Sequence, residues 1–148
     1  MKKPLFIVCI LGILFAGCSV WQSALKSTFP YKTILTVPKS APTNTLLSVV
    51  GTAKSFDQDF NKNGNNAGQV KNVRVVSAKI VSDDPSDFDL GNFSMIRVYI
   101  SKADSSAEVP VASRTDITPL VGNSLVLDID NSHALDEEVK EPNVRIRM

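Results

Sequence analysis

An all-β, antiparallel fold is what this sequence predicts, and three observations predict it. Short β-branched runs recur at roughly 8–20-residue spacing between turn signals. No helical pattern longer than about ten residues breaks them up, so nothing supplies the crossover helices that a parallel sheet needs. The composition is that of an ordinary globular chain of 148 residues, 43% apolar and 21% charged, which is room for one domain. Gly and Pro number 7 and 8, too few for a collagen-like or low-complexity chain. Charge is nearly balanced, 16 basic against 15 acidic residues, and leaves no electrostatic footprint for nucleic acid. The expected architecture is a β-sandwich of about seven strands, immunoglobulin-like or jelly-roll, following an N-terminal signal helix.

The strands follow in order. Ile34-Leu35-Thr36-Val37 is closed by Pro38, and Leu46 to Thr52 is a second β-branched run. Val70 to Ser82 is the longest, with Val73 and Val75 on one face and Val76, Ala78 and Ile80 on the other. The phase flips at Val75-Val76, which predicts a bulge or a strand buried on both faces. Asp83-Asp84-Pro85-Ser86-Asp87 is a turn cluster. Ile96, Val98 and Ile100 alternate strictly, whereas Pro110 between Val109 and Val111 predicts an edge strand. Leu125, Leu127 and Ile129 point in while Asp128 and Asp130 point out. Asn131 to Lys140 reads as a helical turn, and Val144, Ile146 and Met148 then alternate with Arg145 and Arg147. Alternation that runs to Met148 fits a strand paired inside the sheet, or one that leaves an open apolar edge.

The first residues are of another kind. Lys2 and Lys3 precede eleven residues, Leu5 to Phe15, without a polar side chain, and the small residues Ala16, Gly17, Cys18 and Ser19 follow. A basic start, a short apolar segment and a small-residue site define a secretory signal. The apolar run is shorter than the roughly 20 residues of a membrane span. Phe15-Ala16-Gly17-Cys18 resembles the lipobox of bacterial lipoprotein precursors, with Phe15 where leucine is usual. That resemblance implies cleavage between Gly17 and Cys18, diacylglycerol on the Cys18 sulfur and acylation of the new amino group, with palmitate among the usual chains. It implies a cell-envelope protein anchored by lipid, expected at the outer membrane of a Gram-negative bacterium. The strand pattern downstream is similar to that of small β-sandwich surface lipoproteins.

The predicted organisation is a signal peptide over 1–17, a lipidated tether over 18–32 and a β-sandwich over 33–148. Cleavage would discard Cys9 and lipidate Cys18, so the mature chain of 131 residues would have no free thiol and no disulfide. Trp21, Phe29 and Tyr31 in the tether suit headgroup contact, and the preferred reading is that Phe29 and Tyr31 cover the first strand.

Other chemistry is sparse. Asp59, Asn61 and Asn63, with Gly64, match the first half of a calcium loop, but Val70 stands where the bidentate carboxylate belongs. Asp83, Asp84, Asp87 and Asp89 form an acidic cluster that reads most simply as a solvated turn. His133, the single histidine, lies beside Ser132 without a nucleophile-elbow or P-loop motif anywhere in the chain. The sequence therefore points away from an enzyme and away from a cofactor. It favours a membrane-anchored binding or structural module for a protein or glycan ligand. The alternatives are a calcium-dependent carbohydrate-binding or hydrolase-accessory module, and a subunit that exchanges a strand at residues 143–148.

Overall fold

A computed structural model describes Thr28 and residues 30–54, 70–104 and 107–148. These residues form six strands, all antiparallel. They are β1 (Val50–Lys54), β2 (Ala78–Val81), β3 (Ile96–Lys102), β4 (Val109–Arg114), β5 (Ser124–Ile129) and β6 (Asn143–Arg147). They make one sheet in the order β1-β6-β3-β4-β5-β2. The all-β, antiparallel expectation holds. The strand count among the described residues is six rather than seven, in a single sheet that curls over itself.

The curl comes from β5. Its Asp128 and Ile129 pair with Ser113 and Ala112 of β4, while Ser124 to Leu127 pair with β2. A strand that changes partner along its length forms a corner. The β2–β5 ribbon can therefore turn its inner side chains, Ala78, Ile80, Leu125 and Leu127, onto Leu90, Ile96 and Ala112. A second cluster gathers Val111, Leu135 and Val139 with Tyr31, Val70, Val73 and Val75, and Val98 belongs to both. Tyr31 thus serves the core, as preferred from sequence; Trp21 and Phe29 lie outside the described residues.

β6 lies inside the sheet, between β1 and β3. Each of its residues from Val144 to Arg147 has a partner on both sides, and Met148 exchanges both backbone hydrogen bonds with Val49 at 2.9 Å. The open apolar edge considered at residues 143–148 is therefore not there. The sheet's edges are β1 and β2.

Pro110 also sits in an interior strand, contrary to the edge expected for it. The register shifts there: Val98 faces Ala112 and Tyr99 faces Pro110, which leaves Val111 as an extra residue. A bulge removes the need for a donor at that position and accommodates proline. It also explains why the consecutive residues Val111 and Ala112 are both buried.

The apolar face of the sheet is roofed by extended segments without a ladder. Burial alternates along residues 31–37, with Tyr31, Thr33, Leu35 and Val37 turned in, yet no strand forms. Thr33, Ile34 and Leu35 pass so close to Gly51 that a Cβ there would meet Thr33 Oγ1 at 2.5 Å and the Ile34 carbonyl at 2.9 Å. Only glycine fits under that crossing. Residues 70–77 form the second part of the roof. The Asp136 carboxylate accepts from the amides of Asn72 (3.0 Å) and Val73 (2.7 Å), and the Leu135 amide donates to the Val73 carbonyl. The expected phase flip is real, but Val76 is 72% exposed instead of buried. Val76 and Ser77 both point out where the roof segment hands over to β2.

Leu127 is 3% exposed and its neighbour Val126 is 63% exposed. Leu127→Ala is expected to lower unfolding free energy by about 2–5 kcal/mol through cavity formation, whereas Val126→Ala should change it by less than about 0.5 kcal/mol. Urea denaturation of both variants checks the assignment of faces, and equal losses would contradict it.

Candidate functional site

Three polar groupings stand out on this scaffold. The first is built on the outer face of the sheet. Alternation opposite Ile96, Val98 and Ile100 puts Arg97, Tyr99 and Ser101 outward, with Arg145 of β6 beside Ser101 and Arg147 beside Tyr99. Carrying the β3–β4 register one step on brings Glu108 next to Ser101 from the other side. Glu108 receives Arg145 Nη1 at 2.8 Å and binds Arg147 through Nε at 2.8 Å and Nη2 at 2.5 Å. The Arg147 guanidinium also stacks over the Tyr99 ring, 4.2 Å from its centre. Paired guanidinium groups, Arg147 first, hold the Glu108 carboxyl below the ordinary glutamate range, and the same contact raises Arg147. Ser101 is small enough for this ion pair to close over it, and its Oγ is buried without a partner.

Beside this cluster lies a hollow of about 200 Å³ over Arg97, Tyr99, Pro110, Ser113 and Asp130. Arg97, Tyr99, Ser113 and Asp130 are the polar residues that line it, together with Val98, Pro110 and Ala112. Arg145 and Arg147 are visible in the sequence as the outward half of an alternating strand. Their acceptor lies 37 and 39 residues upstream, and no local pattern connects them.

The second grouping is Asp130, Ser132 and His133. The Ser132 amide and hydroxyl both donate to Asp130 Oδ1, at 2.9 and 2.5 Å, and Ser132 Oγ lies 2.8 Å from His133 Nδ1. The Ser132 hydroxyl holds the Asp130 carboxyl below its ordinary value. A nucleophilic triad places imidazole between hydroxyl and carboxylate. Here the hydroxyl lies between the other two, so its proton is committed to Asp130 and the arrangement closes a turn after β5.

The third is Asp89, one of the four clustered acidic residues. Its Oδ1 accepts from the amides of Gly91 (2.9 Å) and Gly122 (2.8 Å), and its Oδ2 accepts from Leu120 (2.8 Å). It caps the 3₁₀ turn Leu90–Asn92 and ties the loop before β5 to it. The two segments touch closely enough that a Cβ on Gly91 would meet the Thr118 carbonyl at 2.6 Å. Amide donors, Gly91 first, lower the Asp89 pKa. Its oxygens are therefore occupied by backbone. Asp83, Asp84 and Asp87 remain exposed in the turn that contains the cis Asp84–Pro85 peptide. Among the described residues no three acidic, histidine or cysteine side chains gather into a metal cluster. Gly17 and Cys18, the predicted processing site, lie outside the described residues, as do the calcium-loop candidates Asp59, Asn61 and Asn63.

Two outcomes follow. Asp89 contributes stability in full above about pH 4, the unfolded carboxyl's value. That contribution is lost as pH falls through the lower folded value. Asp89→Asn should therefore lower the melting temperature at pH 7, with the gap to wild type shrinking towards pH 2; a constant gap across that range would contradict the assignment. Ser101→Ala removes a buried hydroxyl that has no partner and should raise stability by about 1 kcal/mol, read from urea denaturation, where a loss would show that the hydroxyl is bonded. Comparison of the chain with family models, with curated proteins and with solved structures returned no match.

Proposed function

We propose that this protein is a cell-envelope lipoprotein, held at a membrane by acyl chains on Cys18, with an all-β body that acts as a binding or structural module. The observation that carries the reading is Phe15-Ala16-Gly17-Cys18 at the end of a basic and then apolar leader. One acyl chain holds a protein only marginally at a bilayer, whereas two or three hold it firmly. Tyr31, thirteen residues after Cys18, is already seated against the core. Thirteen residues reach at most about 45 Å, so the anchor keeps the body within about one domain's width of the bilayer. For the binding role, support comes from the outer hollow at Arg97, Tyr99, Ser113 and Asp130, whose mixed polar lining fits a protein or glycan group.

Mass spectrometry of the mature wild-type protein should find an N-terminal peptide that begins at Cys18 and carries diacylglycerol plus an acyl chain. Cys18→Ser should abolish that mass and the incorporation of labelled palmitate. A peptide beginning at Met1, or Cys18 with a bare thiol, would overturn the reading.

A further inference from the structure

We propose that the roof over the sheet, with the loop that follows residues 31–37, is a membrane-contacting face, in which Lys32, Lys71, Arg74 and Lys79 accompany the protruding Ile34, Leu46 and Val76 against an anionic lipid surface. The inference rests on the lipid-anchor reading and adds to it which side of the body meets the bilayer.

Charge is segregated along the described chain. From Thr28 to Ser82 the sequence has seven basic residues, of which Lys32, Lys39, Lys54, Lys71, Arg74 and Lys79 are described, against two acidic ones, Asp57 and Asp59, which lie outside the described residues. From Asp83 onward they include thirteen acidic residues and six basic ones. The two sets of cations are also used differently. Lys102, Arg114, Lys140, Arg145 and Arg147 of the later set are each within 4 Å of a carboxylate. Among the described residues none of the six earlier cations is ion-paired; Arg74 donates to neutral oxygens, the Asn72 side chain and the Asn131 carbonyl. Cations satisfied by neighbouring carboxylates stiffen a fold, whereas unpaired ones leave a field that extends outward by about a Debye length, ~8 Å at physiological salt.

The apolar side chains of the same layer point outward as well. Alternation turns Tyr31, Thr33 and Leu35 towards the sheet and Lys32 and Ile34 away from it. In the second segment Val73 and Val75 go in, while Arg74 and Val76 go out. Ile34 is 84% exposed and Val76 72%, and Leu46, in the loop between residues 31–37 and β1, is 90% exposed. On the ribbon beside them Lys79 faces Val126 across the β2–β5 pair, both on its outward side. Aliphatic side chains set among lysines and arginines are the composition of surfaces that sit at the headgroup boundary. Position favours the same occupant. The roof is the first described part of the chain after Cys18, so an anchor there delivers this layer to the bilayer before any other. On the opposite face Arg145 and Arg147 are ion-paired with Glu108, while Arg97 and Lys54 are not ion-paired among the described residues.

The test uses the full-length protein, lipidated and purified, and reconstituted into vesicles of phosphatidylcholine alone or mixed with phosphatidylglycerol. Ile34→Cys, Leu46→Cys, Val76→Cys and, as the outer-face control, Ser113→Cys each carry an environment-sensitive dye. Co-flotation with vesicles reads the anchor, and quenching of the dye by a lipid-borne quencher reads the face. The expected result is flotation of all four, with quenching at 34, 46 and 76 and none at 113, in the anionic vesicles only. Each cation removed weakens such contact roughly fivefold, so Lys32→Gln, Lys71→Gln and Lys79→Gln together should weaken it on the order of a hundredfold. Quenching should then vanish while flotation persists. Flotation with all four dyes equally unquenched overturns the proposed face and leaves the anchor standing. Quenching that survives the triple substitution overturns its electrostatic basis. Shielding at 34, 46 and 76 that rises with protein concentration without vesicles identifies a second copy as the occupant and overturns the proposal. Loss of flotation overturns the anchor and the face with it.

Discussion

The sheet depends on β6 being held along both edges. Ile146 shares a row with Gly51 on one side and Ile100 on the other, and Arg147 shares the next with Val50 and Tyr99. Without β6, β1 has no attachment to the sheet. The strand is also what separates the two faces. Val144, fully buried, and Ile146 go to the roofed side, while Arg145 and Arg147 go to the other. A slip of one residue would bury two guanidinium groups under the roof, so the register is fixed by the cost of desolvating them. Glu108 reinforces it by accepting from both arginines at once, which a shifted β6 could not present on one side.

Strands whose two faces differ in polarity were legible in the sequence. β3, β5 and β6 show strict alternation, and each buries the residues that alternation selects, from Ile96 through Leu127 to Val144. The same signal over residues 31–37 selected the buried side chains correctly and still did not yield a strand. Alternation reports which side chains avoid water; it carries no information on whether a neighbouring backbone is within hydrogen-bonding distance. Pro110 misled for a related reason. A missing amide excludes a residue from a regular interior ladder, but the bulge at Val111 is set by pairing with β3 and is invisible locally.

Polar groups were harder to read because their roles are assigned by distant backbone. Asp83, Asp84, Asp87 and Asp89 are equivalent in sequence. Only Asp89 lies where amides from Leu120 and Gly122, more than thirty residues on, can converge on it. Glu108 likewise has no marker of its own until β4 and β6 are placed on either side of β3. In both cases the carboxylate is consumed in fixing the fold. That is why a cluster of acidic residues in a sequence is weak support for a metal site until its oxygens are shown to be free.

The two faces of the curled sheet therefore differ in more than polarity. On the outer face Glu108 meets Arg145 and Arg147 within the protein, and Arg97 and Lys54 stand there without an ion pair among the described residues. On the roof, like charges stand unpaired beside exposed aliphatic groups, and nothing within the described chain neutralises them. Isolated cations of this sort bind an anionic surface weakly, about 1 kcal/mol for each residue near it. That is too little for a free protein to stay bound at low concentration, given the rotational and translational freedom it would lose. The proposed anchor on Cys18, about a dozen residues away, would remove most of that loss, because the second contact would become intramolecular with an effective concentration set by the tether. Weak interactions then suffice to choose an orientation. Under the proposed arrangement the lipid would determine that the body stays at the membrane, the roof would determine which side it rests on, and the Arg97–Tyr99–Asp130 hollow would be turned away from the bilayer.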